Sequence, residues 1–159
     1  MPLFPLHTVL FPGAQLPLRL FEQRYLEMAK GCLRDGSPFG VCLIVEGKEV
    51  GEPALSAPVG CLARIEQWDM PQLGVLNIVA RGGERFRVIE RFVQPDGLAR
   101  ASVELLAEER EDGDDGERLS ALLVALPLPL AMKQELLELS GPRARLERLN
   151  RFLEDAARE

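Results

Sequence analysis

Residues 2–25, PLFPLHTVLFPGAQLPLRLFEQRY, place four prolines in a run that is otherwise rich in leucine and phenylalanine. In the second half of this run, leucines alternate with Gln15, Pro17 and Arg19, and a period of two predicts a strand with one buried face. Because proline has no N–H to donate, Pro17 predicts a sheet edge or a β-bulge. The run is therefore expected to begin a β-rich fold.

The residues on either side of this strand predict a turn before it and a helix after it. Pro12-Gly13 fits the central positions of a type II turn, in which glycine takes the positive φ. An earlier strand, containing His7, would precede that turn. Residues 21–36 then repeat apolar side chains at helical spacing, Tyr25 among them, and end in glycine. A short helix with one buried stripe is expected there.

Short apolar segments separated by turn residues continue along the chain. Two of them, GVLNIVA and ERFRVIERFV, flank Gly82-Gly83, which predicts a hairpin turn at that pair. About seven strands and an early helix result, and this succession of short strands is typical of a barrel or a sandwich. The other segments are FGVCLIV (39–45), VGCLARIEQWDM (59–70) and LARASVELLAE (98–108), with a turn at QPDG (94–97).

The composition changes after the last predicted strand. AEEREDGDDGER (107–118) is charged and contains glycine, which is typical of a solvated linker. Leucines then recur at helical spacing, a further helix is expected to begin near Pro129, and a last one follows a Gly-Pro pair. The predicted division is a β-rich domain over 1–108, an acidic linker over 109–116 and a helical subdomain over 117–159 that packs on the β-rich part.

The charge balance bears on the class of partner. The formal net charge is −6, from 19 basic and 25 acidic residues, whereas a domain that grips a phosphate backbone is expected to be basic. The basic residues of 81–91 are interrupted by Glu84 and Glu90, and their period suggests the solvent face of a strand. Nucleic acid is therefore not predicted as a partner.

The hydropathy pattern predicts a cytoplasmic protein without a membrane partner. No apolar run reaches the ~18 residues that a membrane span needs. The N-terminus, MPLFPLHTVLFPG, lacks the basic region of a signal peptide.

The residues that usually carry catalysis form no recognisable pattern. Cys32, Cys42 and Cys61 lie among apolar neighbours and are expected to be buried thiols rather than metal ligands with His7, the only histidine. No phosphate-cradling loop, nucleophile elbow or dinucleotide fingerprint is present. No catalytic residue, metal site or cofactor is predicted, and the chain is not expected to be an enzyme.

Several motifs, taken together, resemble one known family. They are PLFPL, VLFPG, LPLRLFEQRY and DGSPFG, followed by EVGEPALSAPVGCLARI, GGERFRVIER and LLELSGPRARLERLNRFLE. This series resembles the N-terminal, substrate-binding domain of the Lon (La) ATP-dependent proteases, and most of all the small stand-alone bacterial proteins made of that domain. The resemblance covers nearly the whole chain apart from the acidic stretch and a rather short helical region.

The resemblance implies a fold and a role. The fold would be α+β: a PUA-like β pseudo-barrel of about six to seven strands with an early helix, followed by a small helical subdomain. The role would be non-catalytic substrate recognition, since the ATPase and the serine–lysine proteolytic modules of the full enzyme do not occur in this sequence. The implied partners are unfolded or exposed apolar protein segments, with a protease or chaperone as a further candidate. A homo-oligomer is also compatible with this role.

Two other functions remain as alternatives. PUA-like barrels elsewhere bind RNA, although the acidic balance and the few aromatic residues argue against stacking platforms. A small-molecule enzyme would need a pocket at the barrel mouth with convergent polar groups. The side chains to examine there are His7, Arg19, Arg64, Trp68 and Arg81.

Trp68 is the best single candidate for contact with a partner. It is the only tryptophan, and MPQLG after it is expected to form a loop. Tryptophan is over-represented at interface hot spots, although its ring could equally cover the end of the barrel. Met70 is a neighbouring candidate, and Phe11, beside the Pro-Gly turn, is a weaker one that core packing also explains.

Overall fold

A computed structural model describes residues 1–51, 54–107 and 115–158 of the chain. These residues form seven strands and four helices, which confirms an α+β fold with an early helix and a helical C-terminal part. In chain order the elements are β1 (Leu3–Leu6), β2 (Gln15–Leu20), α1 (Gln23–Asp35), β3 (Phe39–Glu46), β4 (Leu55–Ser56), β5 (Val59–Gln72), β6 (Val75–Val93), β7 (Ala99–Leu105), α2 (Asp115–Ala125), α3 (Leu130–Glu138) and α4 (Pro142–Ala157).

Five of the strands close into a ring. The sheet order is β1-β3-β5-β6-β2, with β7 also paired to β6 and β4 to β3; only β1 and β3 are parallel. A bridge between Pro2 and Arg100 links the start of β1 to β7, and the N–H of Ala101 donates to the carbonyl of Met1 at 2.9 Å. The ring therefore runs β1-β3-β5-β6-β7 and back to β1, and β2 extends the sheet beside β6.

The ring separates two hydrophobic cores. The smaller core draws residues from all five ring strands: Leu3, Cys42, Leu62, Phe86, Ala99 and Ala101. Neighbouring residues on the same strands, such as Phe4 and Val41, belong instead to a larger core that includes residues of all four helices. Successive side chains of a strand point to opposite faces, so β1, β3 and β5 contribute adjacent residues to the two cores. β7 contributes to the smaller core, and the flanking Leu98 belongs to the larger one.

The glycine pair at 82–83 is not a turn, so the hairpin predicted there is wrong. Residues Val75–Val93 form one continuous strand, and the turn between β5 and β6 is Leu73-Gly74, where Gly74 has a φ of 81°. The first half of β6 pairs with β2 and the second half with β7. The glycine pair therefore lies where the long strand changes partners, and its lack of side chains allows another segment to approach.

The opening stretch folds largely as its pattern predicts. Gly13 has a φ of 81°, and the N–H of Ala14 donates to the carbonyl of Phe11 at 3.0 Å, which closes the Pro-Gly turn. The outward-facing residues of β2 are exposed, and among the described strands β2 pairs with β6 alone, so Pro17 lies on an edge strand as expected. His7 lies just after β1 rather than within it.

The α1 helix also follows the sequence pattern closely. Tyr25, Met28 and Cys32 are buried along one stripe, although Leu33 at its border is 39% exposed. Gly36 ends the helix in the left-handed conformation with a φ of 66°.

Arg85 is buried, although the charge pattern of residues 81–91 suggested a solvent face. Its guanidinium donates to the carbonyl of Leu137 at 3.0 Å and to that of Ala107 at 3.4 Å. Arg145 of α4 donates to the carbonyl of Leu136 at 3.1 Å. The last carbonyls of a helix lack partners within it and carry partial negative charge, and these two arginines donate hydrogen bonds to them at the C-terminus of α3. The same contacts hold α3 to β6 and to α4.

The division into domains at 108 and 116 stays a prediction. Most of the predicted acidic linker lies outside the described residues, and α2 begins at Asp115. The described part of the helical region contacts the β-ring through Arg85 and through Gln134, whose amide donates to the carbonyl of Val59 at 2.9 Å. No helix within the described ranges is long and apolar enough to cross a membrane.

Cys32, Cys42 and Cys61 are buried free thiols, as their apolar neighbours predicted. Burial raises the pKa of the Cys42 thiol from its ordinary value of 9.0 to about 12, against the weaker opposing influence of Arg91 and a hydrogen bond with Ser56. Burial likewise raises the pKa of Cys32.

The Cys42 thiol predicts a loss of stability at alkaline pH. Because its folded pKa lies above the unfolded one, its contribution is complete below pH 9 and declines as the pH rises towards 12, with a slope of at most about 1.4 kcal/mol per pH unit. Urea unfolding under reducing conditions, from neutral pH to about pH 11, should show a steeper decline for the native protein than for Cys42→Ala. Parallel curves for the two proteins would contradict this assignment.

Candidate functional site

The far end of the β5–β6 hairpin, residues 67–80, carries exposed apolar side chains. In this segment, named here the hairpin tip, Trp68 is 59% exposed, Met70 is 45% exposed and Leu73 is 95% exposed. The segment MPQLG, expected to be a loop, is instead the end of β5 and a two-residue turn. The end of β5 and the turn thus present Trp68, Met70 and Leu73 to solvent, whereas Leu76 and Ile78 of the returning strand are buried.

A surface cavity of about 400 Å³ lies beside the hairpin tip, where β2, β6 and β5 run next to one another. We name it the β2 groove. Its lining residues are Pro17, Leu18, Arg19, Gln67, Trp68, Asp69, Asn77, Ile78 and Val79.

The strand register explains why these residues meet. Arg19 pairs with Asn77, which pairs in turn with Asp69, so one row crosses the three strands. The adjacent outward-facing row contains Pro17 and Val79. Residues far apart in sequence therefore form an apolar floor with one cation and one anion at its sides.

A second cavity of about 180 Å³ shares β2 with the first. Pro17 and Arg19 line both cavities, and Tyr25, Glu49 and Val50 contribute to the second. The segment around Glu49 is held in place by backbone contacts: its carboxylate accepts the N–H of His7 at 2.8 Å. The strand β2 is thus the wall between two neighbouring cavities.

A polar cluster fixes the end of the β2 groove opposite the hairpin tip. Arg81 forms an ion pair with Glu66, and its guanidinium donates to the carbonyl of Gly13 at 2.7 Å. The amide of Gln15 also contacts Glu66, at 3.5 Å. The hydrogen bond from Arg81 lowers the pKa of Glu66. These contacts join β2, β5 and β6, so they hold the groove floor in one geometry.

A further cluster supports the second cavity from below. The Glu22 carboxylate accepts a hydrogen bond from Arg24 at 3.1 Å and another from the N–H of Gly51 at 3.1 Å. Arg24 also donates to the carbonyl of Gly97 at 2.9 Å and lies 4.7 Å from the centre of the Tyr25 ring. The cluster ties α1 to two loops, and its charged groups are therefore occupied by structural contacts.

The five side chains proposed for an enzyme site do not converge. Arg19 and Trp68 line the β2 groove, and Arg81 lies at its end. Arg64 instead donates to the carbonyl of Gly36 at 3.2 Å, and His7 follows β1 near Glu49. The described residues contain no group of three or more His, Cys, Asp and Glu side chains that could hold a metal ion.

The shifted pKa values near the cavities also do not favour general acid–base chemistry. Burial raises the pKa of Tyr25, and the hydrogen bond with Arg81 lowers that of Glu66. Both shifts move away from neutrality, whereas an efficient general acid or base has a pKa near the working pH.

The predicted contact residues differ in their exposure. Trp68 and Met70 lie on the hairpin tip and are available to a partner. Phe11 is fully buried in the larger core, so it has no exposed area with which to contact a partner in this conformation. Pro17 and Val79 were missed as lining residues because their meeting depends on strand register.

Three comparisons relate the chain to known proteins. A family model described as the ATP-dependent protease La (LON) substrate-binding domain matches residues 1–126. Lon protease of Anaeromyxobacter dehalogenans is 32% identical over 130 residues, covering 79% of this chain and 15% of that protein. Protein cereblon of Gallus gallus is 29% identical over 104 residues, covering 64% of this chain and 22% of that protein. The chain thus spans less than a quarter of either relative.

Two solved structures are similar to this chain. A Lon N-terminal domain protein from Xanthomonas campestris superposes with a TM-score of 0.77 at 37% identity, covering 94% of this chain and 95% of that one. The N-terminal domain of Mycobacterium avium complex Lon protease superposes with a TM-score of 0.68 at 19% identity, covering 97% of each chain. The second likeness shows the fold alone.

Proposed function

Because the chain belongs to the family of Lon (protease La) substrate-binding domains, we propose that it is a non-catalytic module that binds exposed apolar segments of other proteins. The hairpin tip carries this proposal. Trp68, Met70 and Leu73 expose apolar surface next to a cavity large enough for side chains of a ligand. Exposed apolar surface beside a preformed groove is typical of peptide-binding sites.

The open edge of β2 suggests how a segment would bind. The N–H of Gly82 donates to the carbonyl of Ala14 at 2.8 Å, and hydrogen-bonded pairs alternate along an antiparallel ladder. When this alternation is continued along the register, the N–H and carbonyl groups of Leu18 point to β6. The backbone groups of Pro17 and Arg19 point to the open edge. Since Pro17 has no N–H, a strand added there would lose a central hydrogen bond. We therefore expect side chains of the ligand to dock in the groove and on the tip.

Replacement of Trp68 tests the proposal directly. We expect Trp68→Ala to weaken binding of a fluorescein-labelled peptide of Leu, Phe, Gly and Ser by about tenfold, because tryptophan at such surfaces is often a binding hot spot. Fluorescence anisotropy gives the affinity. In the native protein, Trp68 is the only tryptophan, so a blue shift of its emission on binding would report the contact itself.

A matched control comes from the other half of β6. Phe92 is 53% exposed and lies outside the β2 groove, so Phe92→Ala removes a similar exposed ring without touching the proposed site. Its affinity should equal that of the native protein. No binding by the native protein, or equal losses in both variants, would overturn the proposed function at this site.

The proposal extends to the helical region and to partners. We propose that 117–159 supports the β-ring, consistent with the hydrogen bonds that Arg85 and Gln134 make between them. A protease or chaperone that receives the bound segment is the partner that this role would require.

A further inference from the structure

The hairpin tip is unusually poor in charge. Residues 67–80 contain one charged side chain, Asp69, in a chain of which 28% is charged. The nearest charged residues along the two strands, Glu66 and Arg81, are ion-paired with each other. Asp69 is therefore the carboxylate of an otherwise uncharged, exposed apolar surface.

Asp69 lies on the wall of the β2 groove. It occupies the row that Asn77 and Arg19 complete, and two strand spacings place the Cα atoms of Asp69 and Arg19 about 10 Å apart. Among the described residues, Asp69 forms no ion pair and no side-chain hydrogen bond with Arg19 or any other group. Its charge thus faces solvent and the groove.

Two carboxylates on the other side of β2 offset the positive charge of Arg19. Glu22 and Glu49 line the second cavity together with Arg19. Glu22 is held by Arg24, whereas the described contact of Glu49 is to a backbone N–H. The groups that line the two cavities therefore sum to a negative charge, with Asp69 at the end nearest the exposed apolar residues.

We propose that the hairpin tip selects apolar protein segments that carry Lys or Arg beside their apolar residues, and that Asp69 determines this preference. The inference rests on the proposed function, because it names the class of segment that the same site would take. Trp68 and Asp69 are successive residues of β5, so their side chains leave opposite faces of the strand. Among the described strands β5 pairs here with β6 alone, and a segment that crosses the free edge of β5 could place a cation beside Asp69 while its apolar neighbour packs on Trp68. A basic group also interacts favourably with an indole ring. An acidic segment would instead face the unpaired carboxylate of Asp69.

The test uses two fluorescein-labelled peptides of identical Leu, Phe, Gly and Ser content that carry either Lys or Glu at the same positions. We expect the native protein to bind the Lys peptide about fivefold more tightly than the Glu peptide, with a difference that shrinks as salt is added. Asp69→Asn should reduce the difference to less than about twofold, and Asp69→Lys should reverse it. The isosteric Asn variant keeps the test valid if the Lys variant does not fold.

Glu104→Gln is the matched control. Glu104 is an exposed acid on β7 outside both cavities, so its replacement changes the net charge equally and should leave the preference intact. Equal affinities for the two peptides in the native protein, or the same loss of preference in Glu104→Gln, would overturn the inference while leaving the proposed function standing. Absence of binding to both peptides would refute the proposed function itself.

A second copy of the chain is the competing occupant of the tip. Analytical ultracentrifugation of the native protein and of Leu73→Ser distinguishes it. Concentration-dependent dimerisation that Leu73→Ser abolishes would assign the tip to self-association and overturn the inference. A monomer in both cases, with the Lys preference intact, supports it.

Discussion

Gly82→Ala should lower the free energy of unfolding by about 3 kcal/mol, whereas Gly83→Ala should change it by less than about 1 kcal/mol. A Cβ at Gly82 would overlap the carbonyl oxygen of Phe11 and lie 3.2 Å from the side chain of Leu10. A Cβ at Gly83 meets its nearest atoms, in Leu62, at 3.7 Å, which is ordinary contact. The two glycines are adjacent in one strand, so the comparison isolates the close approach.

The overlap at Gly82 cannot relax easily. Its N–H donates to Ala14 and its carbonyl accepts from Gly13, both at 2.8 Å, so the turn that contains Phe11 is bonded to the same residue that the new Cβ would push away. Relief of the clash would therefore break hydrogen bonds between that turn and β6. Urea unfolding of both variants and the native protein measures the effect, and similar values for Gly82→Ala and Gly83→Ala would show that the approach is not tight.

Arg85→Met should cost about 2–4 kcal/mol, and Arg87→Met should cost less than about 0.5 kcal/mol. Arg85 is 1% exposed and donates to the carbonyls of Leu137 and Ala107. Methionine keeps much of the side-chain volume but leaves these buried carbonyls without their donor. Arg87 lies two residues further along β6 and is exposed, so it controls for the loss of one positive charge.

The Arg85 substitution should also loosen the helical region selectively. Because Arg85 joins the end of α3 to the β-ring, amide hydrogen exchange in α3 and α4 should accelerate more than exchange in β3 and β5. Urea unfolding gives the total loss, and exchange mass spectrometry gives its location. Uniform acceleration across the chain, or stability equal to that of Arg87→Met, would show that Arg85 does not hold the helices to the sheet.

Several elements were predictable because their signals are local. The alternation of residues 15–20, the apolar stripe of α1 and the turn glycines Gly13, Gly36 and Gly97 depend on neighbours within a few positions. Each of these patterns reports a backbone conformation that the segment adopts largely through its own side chains.

The candidate site was predictable only in part. Trp68, as the only tryptophan, and its neighbour Met70 were predicted to contact a partner, and both side chains are exposed. The groove beside them was not predictable, since Pro17 and Val79 meet through the β2–β6 register. Phe11 was indistinguishable from an exposed aromatic in sequence, because its burial depends on strands that arrive later in the chain.

The sequence by itself determined the family, the α+β class, the edge position of Pro17 and the lack of a recognisable catalytic motif. Only the tertiary structure decided that Gly82-Gly83 lies inside β6, where another segment approaches closely, rather than in a turn. It also decided that Arg85 is buried rather than exposed. The physical reason is the same in both cases. Glycine fits both a turn and a close approach of two segments, and an arginine can extend into solvent or donate to the end of a helix. Which of these occurs at Gly82 and at Arg85 depends on the Phe11 carbonyl and on the end of α3, which are distant from them in sequence.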